Sequence, residues 1–224
     1  MRDNLSAHMS TEYDAKITST IPNFDSFYQS TIDLVCAAEN PADKWLDTGC
    51  GTGTFCVKAK RCFANTEFTL SDPSEAMLKI AKEKLKSSEK VSFELADTQS
   101  LVYPDEYFDV ISAIQCHHFL DRAGRIQATE NCFRMLKRGG IYIEFENIMP
   151  LTKGGREIGL RMWWNYQSAM GKTPDEVAEH GKRFNVEYFP ITIPDHISLL
   201  SETGFSIVEV LWASYMQAGF YAVK

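Results

Sequence analysis

A short apolar run, Trp45-Leu46-Asp47, leads directly into Thr48-Gly49-Cys50-Gly51-Thr52-Gly53 and then into a helical pattern through Phe55, Val57 and Ala59. Glycines at alternate positions between a strand and a helix let the backbone turn sharply and approach a ligand closely. Counted from Gly49, the last position of the dinucleotide fingerprint G-x-G-x-x-G/A falls on Thr54, a poor fit to a nicotinamide cofactor. With no G-K-[ST], the loop is not that of a nucleoside-triphosphate site either.

Strand and helix signals alternate on both sides of this loop. Asn23 to Ala38 sets Phe24, Phe27, Tyr28, Ile32, Val35 and Cys36 on one helical stripe that ends before Pro41. Strands are predicted at Glu67–Ser71, Val91–Leu95, Phe108–Ile114 and Ile141–Phe145. Between them lie helices at Ser74–Leu85, capped by Asp72 or Ser74 with Met77, Ile80, Ala81 and Leu85 inward, and at Arg122–Leu136, ended by Gly139-Gly140. This rhythm predicts an α/β fold with a parallel sheet covered on both faces. An aromatic-rich segment, 148–190, breaks it, and a helix (Pro194–Thr203) and two strands (Phe205–Leu211 and about Ser214–Val223) follow. Strands so closely joined cannot be parallel neighbours, so the sheet should end in an antiparallel pair.

At 224 residues the chain suits one large domain, and folding should bury roughly 70% of its unfolded surface. The net charge of −7 gives no basic footprint for a long nucleic acid. Lys79, Lys82, Lys84 and Lys86 alternate with Glu75, Glu83 and Glu89 and read as a solvated helix face. No run of 18 apolar residues predicts a membrane span, and the first ten residues do not read as a secretory signal. Ser6-Ala7-His8-Met9 leaves open a natural start at Met9 after a cloning remnant. The six cysteines form no C-x-x-C pair and none has zinc-finger spacing, so no metal is expected and the thiols should be reduced, in the cytoplasm.

Two further acids belong with the glycine loop. Asp72 ends the second strand 19 residues after Gly53, placed to accept from ribose hydroxyls. Asp97, in Ala96-Asp97-Thr98 after the third strand, can accept from an adenine amino group while the Thr98 amide donates to the ring. In doubly wound sheets such loops meet at the carboxyl ends of the strands, so Asp47, Asp72 and Asp97 should line one edge.

The series LDTGCGTG, LSDPSEAML, ADTQSL, YFDVISAIQCHHFL and MLKRGGIYIEFE, spanning 42–147, resembles the class I S-adenosylmethionine-dependent methyltransferases. That resemblance implies a Rossmann-like three-layer sandwich with seven strands in the order 3-2-1-4-5-7-6, strand 7 antiparallel. It also implies N-terminal helices (1–40) closing over a 41–224 domain, and a helical insertion between strands 5 and 6. S-adenosylmethionine would then be the cofactor and S-adenosylhomocysteine the product. Gly49, Cys50 and Gly51 would meet the methionine part, Asp72 the ribose, Asp97 the adenine amino group, with Pro73 and Met77 near the base. The Gln115 carbonyl would meet the ammonium, and Asp47 would orient that site. Tyr13-Asp14-Ala15-Lys16-Ile17 and Ile21-Pro22-Asn23-Phe24 resemble a subgroup that includes carboxy-S-adenosylmethionine synthase, which carries a cofactor contact to Tyr13. The carboxylating branch has an arginine where this chain has Ile197-Ser198-Leu199-Leu200-Ser201, without a cation.

Methyl transfer from a sulfonium needs alignment more than acid–base chemistry. His117 is the candidate base, for an acceptor that must lose a proton, and a structural role competes with that reading. Tyr28, His118, Arg161, Trp163 and Trp164 are acceptor candidates; Tyr166 also could line an aromatic pocket, with Arg156 or Arg161 meeting an acidic group. Glu144 and Glu146 share a face by period two, and Asn147 reads equally as a helix cap. The expectation is a methyltransferase acting on a small molecule by in-line displacement. A transfer-RNA-linked carboxy-S-adenosylmethionine-type or nucleoside-modifying enzyme and a non-catalytic cofactor-binding module are the alternatives. The acceptor atom and the oligomeric state, a homodimer included, are left open.

Overall fold

The computed structural model describes residues 3–38 and 42–224. Its strands are β1 (Lys44–Thr48), β2 (Glu67–Ser71), β3 (Val91–Glu94), β4 (Phe108–Ile114), β5 (Leu136–Asn147), β6 (Ile207–Ser214) and β7 (Gln217–Val223). They form one sheet in the order β3-β2-β1-β4-β5-β7-β6. The first five pair in parallel, and β7 runs antiparallel to both β5 and β6. The chain leaves β3 at one edge and returns beside β1, so the crevice between β1 and β4 is the switch point where such sheets hold ligands.

Around the sheet lie α1 (Tyr13–Thr20), α2 (Phe24–Ala37), α3 (Thr54–Ala59), α4 (Glu75–Lys84), α5 (Arg122–Met135), α6 (Lys153–Ala169), α7 (Pro174–Lys182) and α8 (Ile193–Thr203). Strand periodicity divides the core between two faces. Trp45, Phe68, Ile141, Ile143 and Phe145 pack with Ile17, Phe27, Leu78 and Trp163 on one. Leu46, Ile111, Tyr142 and Phe220 pack with Cys132, Met135 and Leu200 on the other. The N-terminal helices therefore share a core with the sheet. The Ser74 hydroxyl caps α4 by accepting from the Met77 amide, and Thr192 with Asp195 builds a reciprocal cap on α8.

Several boundaries differ from the expectations. Gly139-Gly140 does not end a helix: Leu136 is already extended and pairs with Phe108, and the glycines lie within β5. They serve a close approach, since a Cβ on Gly140 would stand 2.8 Å from the Lys137 carbonyl and 2.9 Å from that of Asp109. The sixth strand starts at Ile207 because Phe205 drops into the core against Tyr142 and Phe133. Cys36 is exposed rather than on the buried stripe of α2. The predicted stop at Pro41 lies outside the described residues.

Candidate functional site

The glycine loop turns through three left-handed residues, with φ of +66° at Gly49, +54° at Gly51 and +73° at Gly53. A Cβ on Gly49 would lie 2.4 Å from that of Cys116, so only glycine lets the loop meet the turn after β4. The Cys50 amide donates to the Ser71 carbonyl at 2.9 Å and fixes the loop on the end of β2. Asp14 of α1 accepts from the hydroxyls of Thr52 (2.7 Å) and Thr54 (2.8 Å) and pairs with Lys84, pinning the first helix to the same loop.

The three aspartates occupy different environments. Asp72 is buried; it accepts from the Gly51 amide at 2.9 Å and the Ser74 amide at 2.8 Å, while burial raises its pKa. Asp97 is exposed and accepts from the Ser100 amide at 2.9 Å. Asp47 is 2% exposed; its Oδ1 accepts from the Ser112 hydroxyl at 2.7 Å and its Oδ2 has no partner among the described residues. Burial pushes the Asp47 carboxyl up to about 7 against the lowering effect of Ser112, with Asp72 adding to the rise.

Asp72 and Asp97 line a cavity of about 520 Å³, within the range of small-molecule sites. Tyr13, Gly49, Gly51, Asp72, Pro73, Met77, Asp97, Thr98, Gln115 and His117 all line it. A small adjoining pocket is bounded by Tyr13, Tyr28, Asp47 and Cys50. Ala96 is outside both linings and packs partly against the core. Gln115 is left-handed (φ +58°), a conformation that costs energy for a residue with a Cβ; its amide donates to the Phe145 carbonyl at 2.7 Å. Residues 3–6, Phe119 and Leu120 complete the wall. No sequence pattern marks the N-terminal segment, whereas Phe119 and Leu120 follow directly on the histidine pair.

Behind this wall lies a buried polar chain. Tyr142 donates to Glu144 at 3.0 Å, so its oxygen is left to accept from His117 Nδ1 at 3.1 Å. His117 Nε2 then accepts from Thr98 at 3.0 Å, and Thr98 in turn faces Thr48 at 2.6 Å. Burial lowers the His117 pKa, more than the nearby glutamates raise it, and the ring is held neutral. His118 does not line the cavity: it is buried, with Nδ1 against Glu146 and Nε2 3.3 Å from the Asn147 amide nitrogen. Glu144 and Glu146 do share a face, but inside β5 and fully buried. Asn147 caps no helix; it accepts from Gln217 at 3.1 Å, while Thr152 caps α6.

The acceptor candidates on α6 are not brought to the cavity lining. Trp163 is fully buried and donates its indole N–H to the Thr20 carbonyl at 2.6 Å. Tyr166 likewise donates to the Thr18 carbonyl at 2.6 Å. Arg161 is exposed, Arg156 is half-buried, and Trp164 packs over Gly181. Tyr28 reaches only the small adjoining pocket.

Residues 46–140 match the methyltransferase-domain family. A carboxy-S-adenosyl-L-methionine synthase of Nautilia profundicola is 26% identical over 212 residues, 95% of this chain and 90% of that one. A ubiquinone/menaquinone biosynthesis C-methyltransferase of Vibrio parahaemolyticus is 32% identical over 131 residues, covering 55% of this chain and 49% of its own length. A Haemonchus contortus phosphoethanolamine N-methyltransferase, solved with phosphomonomethylethanolamine and S-adenosylhomocysteine, superposes with a TM-score of 0.67 at 14% identity, over 98% of this chain and 59% of that one. The unpartnered Asp47 oxygen beside glycine-lined space, with two further acids around one cavity, fits a cofactor bearing an ammonium and a ribose. With its sheet order and these matches, the chain carries in residues 46–140 a methyltransferase domain of the class I S-adenosylmethionine-dependent kind, with S-adenosylmethionine as cofactor and S-adenosylhomocysteine as product.

Proposed function

We propose that the protein transfers the methyl group of S-adenosylmethionine to a small-molecule acceptor by in-line displacement. The observation that carries this reading is the cavity itself, a chamber of about 520 Å³ covered by residues 3–6 and Tyr13. When bound, the cofactor supplies an electrophilic methyl group. The chain's part is to hold it: Asp72 at the ribose, Asp97 and Thr98 at the adenine, Pro73 and Met77 against the base. Asp47, Gly49, Cys50, Gly51 and the Gln115 carbonyl serve the methionine end. Residues 3–20 act as the cover that excludes water and shapes the acceptor space. His117, held neutral with both nitrogens engaged, is better suited to shaping the wall than to free proton transfer, though it remains the candidate base nearest the cavity.

A second reading, formation of a carboxylated cofactor, is favoured by the match to the Nautilia enzyme over 95% of the chain. Against it, α8 (IPDHISLLSET) carries no lysine or arginine, and its one histidine, His196, is buried against Glu144. Calorimetric titration with S-adenosylmethionine, S-adenosylhomocysteine and NADH comes first, followed by an acceptor panel read by homocysteine release. Adenosyl binding with turnover of a small acceptor supports the proposal. A prephenate-dependent product instead establishes the second reading, and binding without turnover of any acceptor leaves a non-catalytic module.

A further inference from the structure

Arg183, at the end of α7, is 8% exposed. Its Nε donates to Glu187 at 2.8 Å, but Nη2 donates to the backbone carbonyl of Leu5 at 2.6 Å. Leu5 itself lines the large cavity, so the guanidinium holds the backbone of a residue in the cavity wall. Tyr188 supports Arg183 from one side, 5.8 Å from ring centre to guanidinium, and touches His118 behind the cavity wall on the other.

Other cations gather here in a chain that is acidic overall. Lys172, between α6 and α7, is half-buried and makes no side-chain hydrogen bond or ion pair among the described residues. Burial lowers its pKa and nearby Lys16 and Arg183 lower it further. Glu176, the acid that acts on it, holds one carboxylate oxygen on the Thr173 amide (2.8 Å) and hydroxyl (3.1 Å). Lys16 pairs with Glu12. His8 and His180 lie in the same cluster, and burial with the nearby cations pushes them to about 4 and about 3, so neither adds charge near neutrality. The cluster is built from α1, α7 and the turn before α7, which is continuous with the segment covering the cavity.

A neutral carbonyl is a weaker partner for a guanidinium than an oxyanion, because a bond between two ions is shorter and roughly twice as strong. An anionic group entering beneath residues 3–6 therefore gains by replacing the Leu5 carbonyl, and the unpaired Lys172 ammonium adds to that gain. We infer that Arg183 and Lys172 form an anion subsite that receives a carboxylate or phosphate group of the methyl acceptor. Leu5 holds that place in its absence. The inference rests on the reading of the cavity as the chamber for cofactor and small acceptor, and it moves the acidic-group contact from Arg156 or Arg161 to Arg183.

The test uses the whole protein saturated with S-adenosylhomocysteine, titrated with inorganic phosphate and separately with malonate at ionic strength fixed by sodium chloride. Saturable binding of either probe is expected, weakened about tenfold or more in Arg183→Gln and several-fold in Lys172→Gln, with S-adenosylhomocysteine affinity unchanged in both. Preference for phosphate or for malonate assigns the acceptor's group. Lys172→Gln, at a side chain with no hydrogen bond or ion pair among the described residues, decides the matter should Arg183→Gln fail to fold. Binding of neither probe to the wild type, or equal binding to wild type and Lys172→Gln, overturns the subsite. Failure of S-adenosylhomocysteine to bind the wild type overturns instead the reading of the cavity on which it rests.

Discussion

The Glu146 carboxylate accepts the backbone N–H of His117 at 2.9 Å, and its second oxygen accepts that of His118 at 2.9 Å. One side chain of β5 thus fixes the tight turn after β4, which carries Gln115, Cys116 and His117 into the cavity wall. Burial alone would raise the Glu146 pKa, yet the charge and hydrogen bond of His118, with His117 and His196, outweigh it and hold the group at about 2, below its ordinary 4.5. A depressed carboxyl contributes stability above its unfolded pKa and loses it as pH falls toward the folded value. The wild type should therefore lose about 3 kcal/mol from this group on acidification through that window. Glu146→Gln should be less stable at neutral pH and flatter between pH 5 and 2. Thermal melts of both proteins across the range check this, and parallel pH curves would rule it out.

Asp47 shifts the opposite way. Its folded pKa of about 7 means that its contribution to stability is fully present below the ordinary aspartate value and is lost as pH rises through 7. An ammonium beside the unpartnered Oδ2 favours the ionised form, so cofactor binding should expel a proton near neutrality. S-adenosylhomocysteine affinity is expected to rise between about pH 5.5 and 7.5 in the wild type and to stay level in Asp47→Asn. Calorimetry in buffers of different ionisation enthalpy reads the proton directly.

The alternation of strands and helices was legible in local patterns and the sheet order in the family resemblance of the motifs, while glycines that must turn left-handed and acids that follow three different strands pointed to one edge of the sheet. Tyr13, Asp72, Met77 and Gln115 do meet at one cavity. The acceptor side was not legible in the same way. Aromatic residues on α6 carry the same pattern whether they face a ligand or a core, and only the packing of α1 onto α6 shows Trp163 and Tyr166 spent on the carbonyls of Thr20 and Thr18. Arg183 was invisible for a related reason, since its contact with Leu5 joins positions 178 residues apart. Likewise, period two put Glu144 and Glu146 on one face but could not say that histidines and a tyrosine wait there.

Asp72→Ala should weaken S-adenosylhomocysteine binding by about 1–3 kcal/mol, the range for hydrogen bonds to a charged group. Part of that loss is indirect, because Asp72 also holds the Gly51 amide and so the shape of the glycine loop. Asp72→Asn, which keeps one acceptor, should fall between the two in calorimetric titration. Undiminished affinity in a folded Asp72→Ala protein would remove this residue from the cofactor site.

Trp163 tests the division between core and acceptor wall. It is fully buried, packs edge-on against His180 with ring centres 4.9 Å apart, and donates to the Thr20 carbonyl. Trp163→Ala should cost about 3–5 kcal/mol of stability, the range for emptying a large aromatic site. Trp163→Phe keeps most of the volume and loses the hydrogen bond, which Gln167 partly replaces at 3.2 Å on the same carbonyl, so about 1 kcal/mol is expected. Urea denaturation gives both values, and competition between two acceptors shows whether selectivity moves with them. Stability lost with selectivity intact fits a helix anchor; intact stability with altered selectivity would place Trp163 against the acceptor.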